Sequence, residues 1–421
     1  MRLAFFGYAW NVELQPDAYM QETIDSFTRA GFDVDLYFGA QLAREYGIFG
    51  LNPKLSVEAL TRFIAAQGYD GAISFNNSML IPEVRAAVNA PIATVIVDEP
   101  EHMFDYRHQG PFEPFNSDVQ IVAMSSAVEG KIKAAVPGVE PRLHFMLPAT
   151  HIDPAERLAK RVHAISWVAS YVGDLNLDQY LKLMIDRPDY HALTIKCLGL
   201  LQRHGNLKTI KAEDGMDMLL IGGLPWTFDF FETQMQNILT NRSRVEVVER
   251  LAPHGLALFG NAGWQKLLTY SAPVMTALRS GEPVKTHADL RRVYNASKLS
   301  INLPQAHIAT GAIQYRVIDV MASSALLITR RDENSDLYRA FGKDCPVPVY
   351  SDLDELERLC AHYLANESER RDLVNRCNAL IDNSFDFRER AKTLLGLVGL
   401  APTPGAVLGA VRRVDLKPFT M

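Results

Sequence analysis

Short apolar runs rich in Val, Ile and Phe alternate with longer amphipathic segments along most of the sequence, and this alternation constrains the fold more than any single motif. Apolar runs of that length, bounded by polar turns, read as strands buried on both faces. Such strands belong to parallel sheets covered by helices, so the expected fold class is α/β.

In the first half, Arg2–Tyr8 reads as a strand, Asp17–Ala30 as a helix, Asp33–Phe38 as a strand and Val57–Gln67 as a helix. GYDGAISF is a strand ending at Asn76 and Asn77. IATVIVDEP is another, ending in Asp98 and Glu99 where Pro100 stops the ladder. VQIVAM leads to a helix opened by Ser125 or Ser126, and RLHFMLPAT closes the half. After the charged stretch HIDPAERLAKRVH, AISWVASYVGD starts a second series. It continues through MDMLLIGG, GLALFGNAGW, KLSINL, ALLITRR and CPVPVY. The expectation is two doubly wound domains, residues 1–155 and 164–385, facing a central cleft with ligands at the carboxyl ends of their strands. Residues 386–421 are expected to form a helix packing back toward the first domain, followed by a loosely held tail, PTPGAVLGAV.

Composition narrows the function. With 421 residues, 48% hydrophobic and 22% charged, the chain can bury more than one core. Lys and Arg number 43 against 49 Asp and Glu, giving a formal charge of -6 and no basic excess for nucleic acid. Cys197, Cys345, Cys360 and Cys377 form no CxxC pair, so buried or idle thiols are expected and no metal site. The N-terminal stretch turns polar too soon for a signal peptide, and no run approaches the roughly 18 apolar residues of a membrane span. A cytoplasmic location follows as the expectation, with any membrane contact peripheral. No GxGxxG follows the first strand and no GxxxxGK[ST] occurs, which weighs against a nicotinamide dehydrogenase or an NTPase.

The informative stretch is YNASKLSINLPQAHIATGAIQYRVIDVMASSALLITRR, residues 294–331. A strand runs into a polar loop, and a helix is expected from about Gly311 to Ser324. Ile313, Val317, Val320 and Met321 form its apolar stripe, which speaks for packing. Arg316 and Asp319 lie three apart on another face, where they could simply pair on the surface. Their place behind a small helix start, Ala309-Thr310-Gly311, gives a second reading. Free N–H groups there bind anions, an arginine neutralises phosphate and a carboxylate accepts from a ribose diol.

This stretch resembles the C-terminal domain of the CgeB-like (spore maturation protein B-like) glycosyltransferases, a branch of the GT-B enzymes. The resemblance rests on SINL, Gly311, Arg316 with Asp319 and ALLIT; YSDLDELERLCAHYLANESERR, FGNAGW and VASYVGD add to it. It covers residues 164 to 395, the first half matching only in outline. It implies a GT-B fold of two Rossmann-like domains and a nucleotide-sugar donor, UDP-sugar favoured, in the C-terminal domain. It also implies metal-independent transfer with no cofactor, to an acceptor hydroxyl on a glycan, protein or small molecule. On this mapping Asp319 takes the ribose, and Arg316 with Thr310 and Gly311 takes the diphosphate. The family usually has glutamate at the Asp319 position, and relatives with two glutamates separated by seven residues would have the first at Gly311.

Around these, Gly173 reads as a tight turn near the donor phosphate or an ordinary strand-to-helix turn, and Gln305 and His307 as loop contacts to it. Across the cleft, Asp98 or Glu99 is expected as the base that takes the acceptor proton. Tyr8, Trp10, Asn11, Asn76 and His102 are the acceptor candidates, since a ring covers apolar sugar faces while amides and imidazole bind hydroxyls. Two other readings stay open: a nucleotide-sugar epimerase or hydrolase on the same fold, and a non-catalytic sugar-nucleotide-binding pseudoenzyme.

Overall fold

The computed structural model describes residues 1–7, 15–38, 41–42, 54–97, 118–172, 182, 185–204, 228–282, 284–304, 311–381 and 383–420. Two all-parallel sheets organise it. The first contains β1 (Arg2–Gly7), β2 (Asp33–Phe38), β5 (Gly71–Phe75), β6 (Ile92–Ile96), β7 (Gln120–Ala123), β8 (Leu143–Phe145) and β14 (Val411–Arg413), in the order β14-β2-β1-β5-β6-β7-β8. A short pair, β3 (Gln41–Leu42) and β4 (Lys54–Leu55), stands apart. The second sheet contains β9 (His163–Val168), β10 (Leu256–Phe259), β11 (Ser297–Asn302), β12 (Leu326–Arg330) and β13 (Val349–Tyr350), in the order β10-β9-β11-β12-β13.

Helices cover both sheets. The first domain carries α1 (Ala18–Arg29), α2 (Val57–Ala65), α3 (Pro82–Val88) and α4 (Ser126–Ala135). Helix α1 starts where it does because the Asp17 side chain accepts from the N–H groups of Tyr19 and Met20. It buries Met20, Ile24 and Phe27, the helical repeat of its inner face. The second domain carries α5 (Pro188–His204), α6 (Phe228–Leu251), α7 (Ala272–Ala277), α8 (His287–Asn295), α9 (Tyr315–Ala322), α10 (Asp336–Phe341), α11 (Leu353–Ala365) and α12 (Glu367–Leu380). The D-x-x-E-L segment owes its form to Asp352, whose carboxylate caps α11 by accepting from Glu355 N–H at 2.8 Å.

Two strands of chain connect the domains side by side. Thr150 N–H donates to Phe385 O at 2.8 Å and Phe387 N–H to Thr150 O at 3.1 Å. Helix α13 (Phe387–Leu397) then lies on α1, and its Ala391, Leu394 and Leu395 share a core with Phe5, Ile24 and Phe27.

The tail corrects the expectation of a loose terminus. Residues 411–413 form β14, an edge strand parallel to β2, and Arg412 grips Asp35 with bonds of 2.8 and 2.6 Å. Gly409 makes the approach possible, because a Cβ there would run into the Phe32 carbonyl. The helix expected from Gly311 is also shorter, starting at Tyr315 behind an extended Gln314. Gly311 is held instead by the 332–336 turn: its carbonyl accepts from Asp336 N–H at 2.8 Å, and its φ of +84° with a Cβ position blocked by Asn334 backbone suits glycine alone. MDMLLIGG and the loop residues 305–310 lie outside the described residues.

Candidate functional site

In the second sheet the chain lays β10 on one side of β9 and returns to lay β11 on the other. The crevice beyond the carboxyl ends of β9 and β11 is therefore the switch point where such sheets take ligands. Two arginines meet that crevice. Arg316, in the first turn of α9, donates from Nη1 to Asn302 Oδ1 at 3.3 Å, and Asn302 is the last residue of β11. Arg244 projects from α6 and donates to the carbonyl of Ser170, just past β9.

Arg244 is only 2% exposed, and its Nε has no hydrogen-bond partner. Among the described residues no carboxylate pairs with either guanidinium. Burial first, and then the nearby Arg316 charge, push Arg244 down to about 9. A buried cation next to a second cation calls for an anion, and two planar guanidiniums suit phosphate oxygens.

The loop between them is pinned from both sides. Asn241 on α6 accepts from Val172 N–H at 2.8 Å and donates to Val172 O at 2.6 Å. Asn261 does the same for Tyr171 at 2.9 and 3.0 Å, and Trp264 Nε1 donates to Ala169 O at 2.6 Å. FGNAGW and VASYV, two separate pieces of sequence, thus form one rigid wall. A Cβ on Gly260 would strike the Ala169 carbonyl, which explains the glycine.

Asp319 is engaged away from the crevice. It is 2% exposed, and its carboxylate accepts from Tyr19 Oη at 2.6 Å, Thr150 Oγ1 at 2.7 Å and His287 Nε2 at 2.9 Å. A ribose could reach it only by displacing these groups. The carboxylate instead joins α1 of the first domain, the connecting segment and α8 and α9 of the second. Burial and then the Asp319 charge hold the Tyr19 phenol well above its usual range, so it remains a donor. Tyr19 also stacks on Tyr315, with ring centroids 4.1 Å apart. Beside the joint, His151 Nε2 meets Glu22 Oε2 at 2.6 Å.

Gly311 lies before α9 and against Asn334, not at the helix's first turn, so it offers no free helical N–H groups to a phosphate. Asn76 is turned inward: its Oδ1 accepts from Val97 N–H at 2.8 Å, fixing the exit of β6. Its neighbour Asn77 has φ +57°, is 2% exposed, and neither amide atom of its side chain has a partner among the described residues. Asp98, Glu99, Gly173, Gln305, His307, Thr310, Tyr8, Trp10, Asn11 and His102 lie outside the described residues.

Arg244 was not among the residues singled out by sequence. Its signal is nonetheless present in α6, where Asn237, Thr240, Asn241, Arg244, Val247, Val248 and Leu251 are all buried at helical spacing. A buried stripe that changes from apolar to polar partway along a helix marks the end that faces a ligand or a loop.

The whole fold is similar to two structures of HepE from Anabaena. One, in complex with UDP-glucose, has a TM-score of 0.53 at 10% sequence identity, over 95% of this chain and 99% of that chain. The other, with UDP and glucose, has a TM-score of 0.54 at 10% identity and the same coverage. The fold is GT-B. Residues 241–396 match the family model described as glycosyl transferase-like. That span of the GT-B chain includes Arg244, Arg316 and Asp319. No curated protein matches the sequence.

Proposed function

We propose that this chain is a glycosyltransferase that takes a UDP-sugar, the diphosphate lying between Arg244 and Arg316. The observation that carries the reading is the pair of guanidiniums at the switch point of the second sheet, paired with no carboxylate among the described residues, inside the segment matching the glycosyl transferase-like family. UDP is favoured as the nucleotide because HepE, similar in fold, is seen with UDP-glucose. Two guanidiniums can balance the charge that grows on a leaving diphosphate, which supports hexosyl transfer without a divalent ion at that step. The order of motifs from Tyr294 to Thr329 supports a CgeB-like member. Asp319 serves as a joint between domains, not as a ribose ligand.

The acceptor is assigned to the first domain, where β1 and β5 flank the corresponding switch point. Asn77, with its unspent amide at the end of β5, is the acceptor contact we favour over Asn76. Asp98 or Glu99 is the proposed base, since they directly follow the β6 segment in sequence. The test is a thermal-shift and turnover panel of UDP-, GDP-, dTDP- and CMP-sugars with wild type, Arg244→Ala and Arg316→Ala. A UDP-sugar should stabilise and be consumed by wild type alone. Equal response in both variants would remove the donor assignment.

A further inference from the structure

Glu22, His151 and His287 converge from three distant stretches of chain. Glu22 lies on α1 of the first domain, His151 on the connecting segment after β8, and His287 at the start of α8 in the second domain. Each offers one ligand atom, and the three atoms lie within 4.8 Å of one another. We propose that these residues form a site for a zinc-class divalent ion that fastens the two domains together.

The donor set decides the class of ion. Two imidazoles and one carboxylate suit Zn²⁺ and its transition-metal neighbours, whereas Mg²⁺ and Ca²⁺ take oxygen ligands. Around a tetrahedral ion, donors sit roughly 3.4 Å apart, so no pair has to close by more than about 1.4 Å from within its present 4.8 Å.

The present partners fit a site held by protons. His151 Nε2 and Glu22 Oε2 are 2.6 Å apart, and the ion would replace the proton between them. His287 Nε2 is 2.9 Å from Asp319 Oδ1, so that carboxylate either orients a metal-bound imidazole or joins it as a further oxygen. Nδ1 has only a long 3.4 Å contact with Arg291, whose guanidinium is already held by both oxygens of Glu156 at 3.0 and 3.1 Å. Phe387 packs on both imidazoles, with ring centroids 5.2 Å from His151 and 5.3 Å from His287, and fixes their planes.

These ligands are dispersed in sequence, and none belongs to a metal-spacing motif, so the sequence reading names no metal. The proposal is independent of the transferase reading, and its test needs no sugar donor. Chelator-treated full-length protein is titrated with ZnCl₂ by calorimetry and with CoCl₂ by visible absorption. His151→Ala and Glu22→Gln are run in parallel, after circular dichroism shows both folded. Wild type should take up one ion per chain and show the intense absorption of tetrahedral Co²⁺. Each variant should bind at least about tenfold more weakly and lose that band. His151→Cys, which keeps a ligand, should recover binding. Absence of uptake by wild type, or undiminished uptake by both variants, would overturn the site. It would leave the cluster as a set of proton-shared pairs.

Discussion

The Tyr19 hydroxyl donates to Asp319 Oδ2 at 2.6 Å across 300 positions of sequence, joining a helix of the first domain to a helix of the second. Asp319 is buried and Tyr19 half-buried, and Thr150 and His287 complete the carboxylate's shell, so the joint is a polar network inside an interface. A hydrogen bond to a buried charge contributes about 1.5–3 kcal/mol. Tyr19→Phe, which keeps the ring stacked on Tyr315, is expected to lower stability by about that amount in urea unfolding. A double-mutant cycle with Asp319→Asn should return a coupling of similar size; near-additive effects would mean that the contact is not formed in solution.

At the crevice, stability and binding are expected to move in opposite directions. Arg244 is a buried cation with no counter-ion among the described residues, so Arg244→Met should keep or slightly raise the melting temperature while UDP-sugar affinity falls about 10- to 100-fold. Calorimetric titration with UDP beside a melting curve reads both. A variant that loses stability and keeps affinity would contradict the assignment.

Arg316→Lys is expected to recover only part of the binding lost in Arg316→Ala. The guanidinium bridges Asn302 and the crevice, and a lysine ammonium cannot hold both. Comparison of KM for the donor in the three proteins checks this.

Trp264 is fully buried, and its indole N–H holds the Ala169 carbonyl. Trp264→Ala should cost about 3–5 kcal/mol in unfolding free energy. Trp264→Phe should cost less but free the loop at 170–172, raising hydrogen exchange at Tyr171 and Val172 without global unfolding.

The Glu22 carboxyl lies at about 2 in the folded chain against 4.5 for the unperturbed group. A depressed folded value means that its stabilisation is present above 4.5 and disappears as pH falls toward 2. In the presence of chelator, Glu22→Gln should therefore flatten the loss of stability over that window and change nothing in the slope above it. Unfolding midpoints taken across the acid range measure the difference.

Much of the architecture is legible in the sequence because it depends on local signals. Strands such as Ile92–Ile96 and Leu326–Arg330 are mainly apolar runs, and caps such as Asp17, Ser125 and Asp352 act on N–H groups a few residues away. The site is less legible because its chemistry is set by partners far along the chain. Arg316 and Asp319 share a helix, but Asn302 draws one toward the crevice, and Tyr19, Thr150 and His287 draw the other into the interface. Arg244 stands between Arg242 and Arg250 on one helix, and only burial tells it from them. The tail is not legible because PTPGAVLGAV and the V-R-R that follows carry no local strand signal; its place comes from the edge of β2 and from Asp35, neither visible nearby.

That last pairing sets an order of assembly. Until residues 387–413 have left the ribosome, the core around α1 lacks Ala391, Leu394 and Leu395, and the outer hydrogen-bonding edge of β2 is open. Of the two domains, the one translated earlier is thus finished later. A nascent chain arrested after the second domain should present an incompletely covered core and a bare strand edge, the features that invite chaperones and edge-to-edge aggregation.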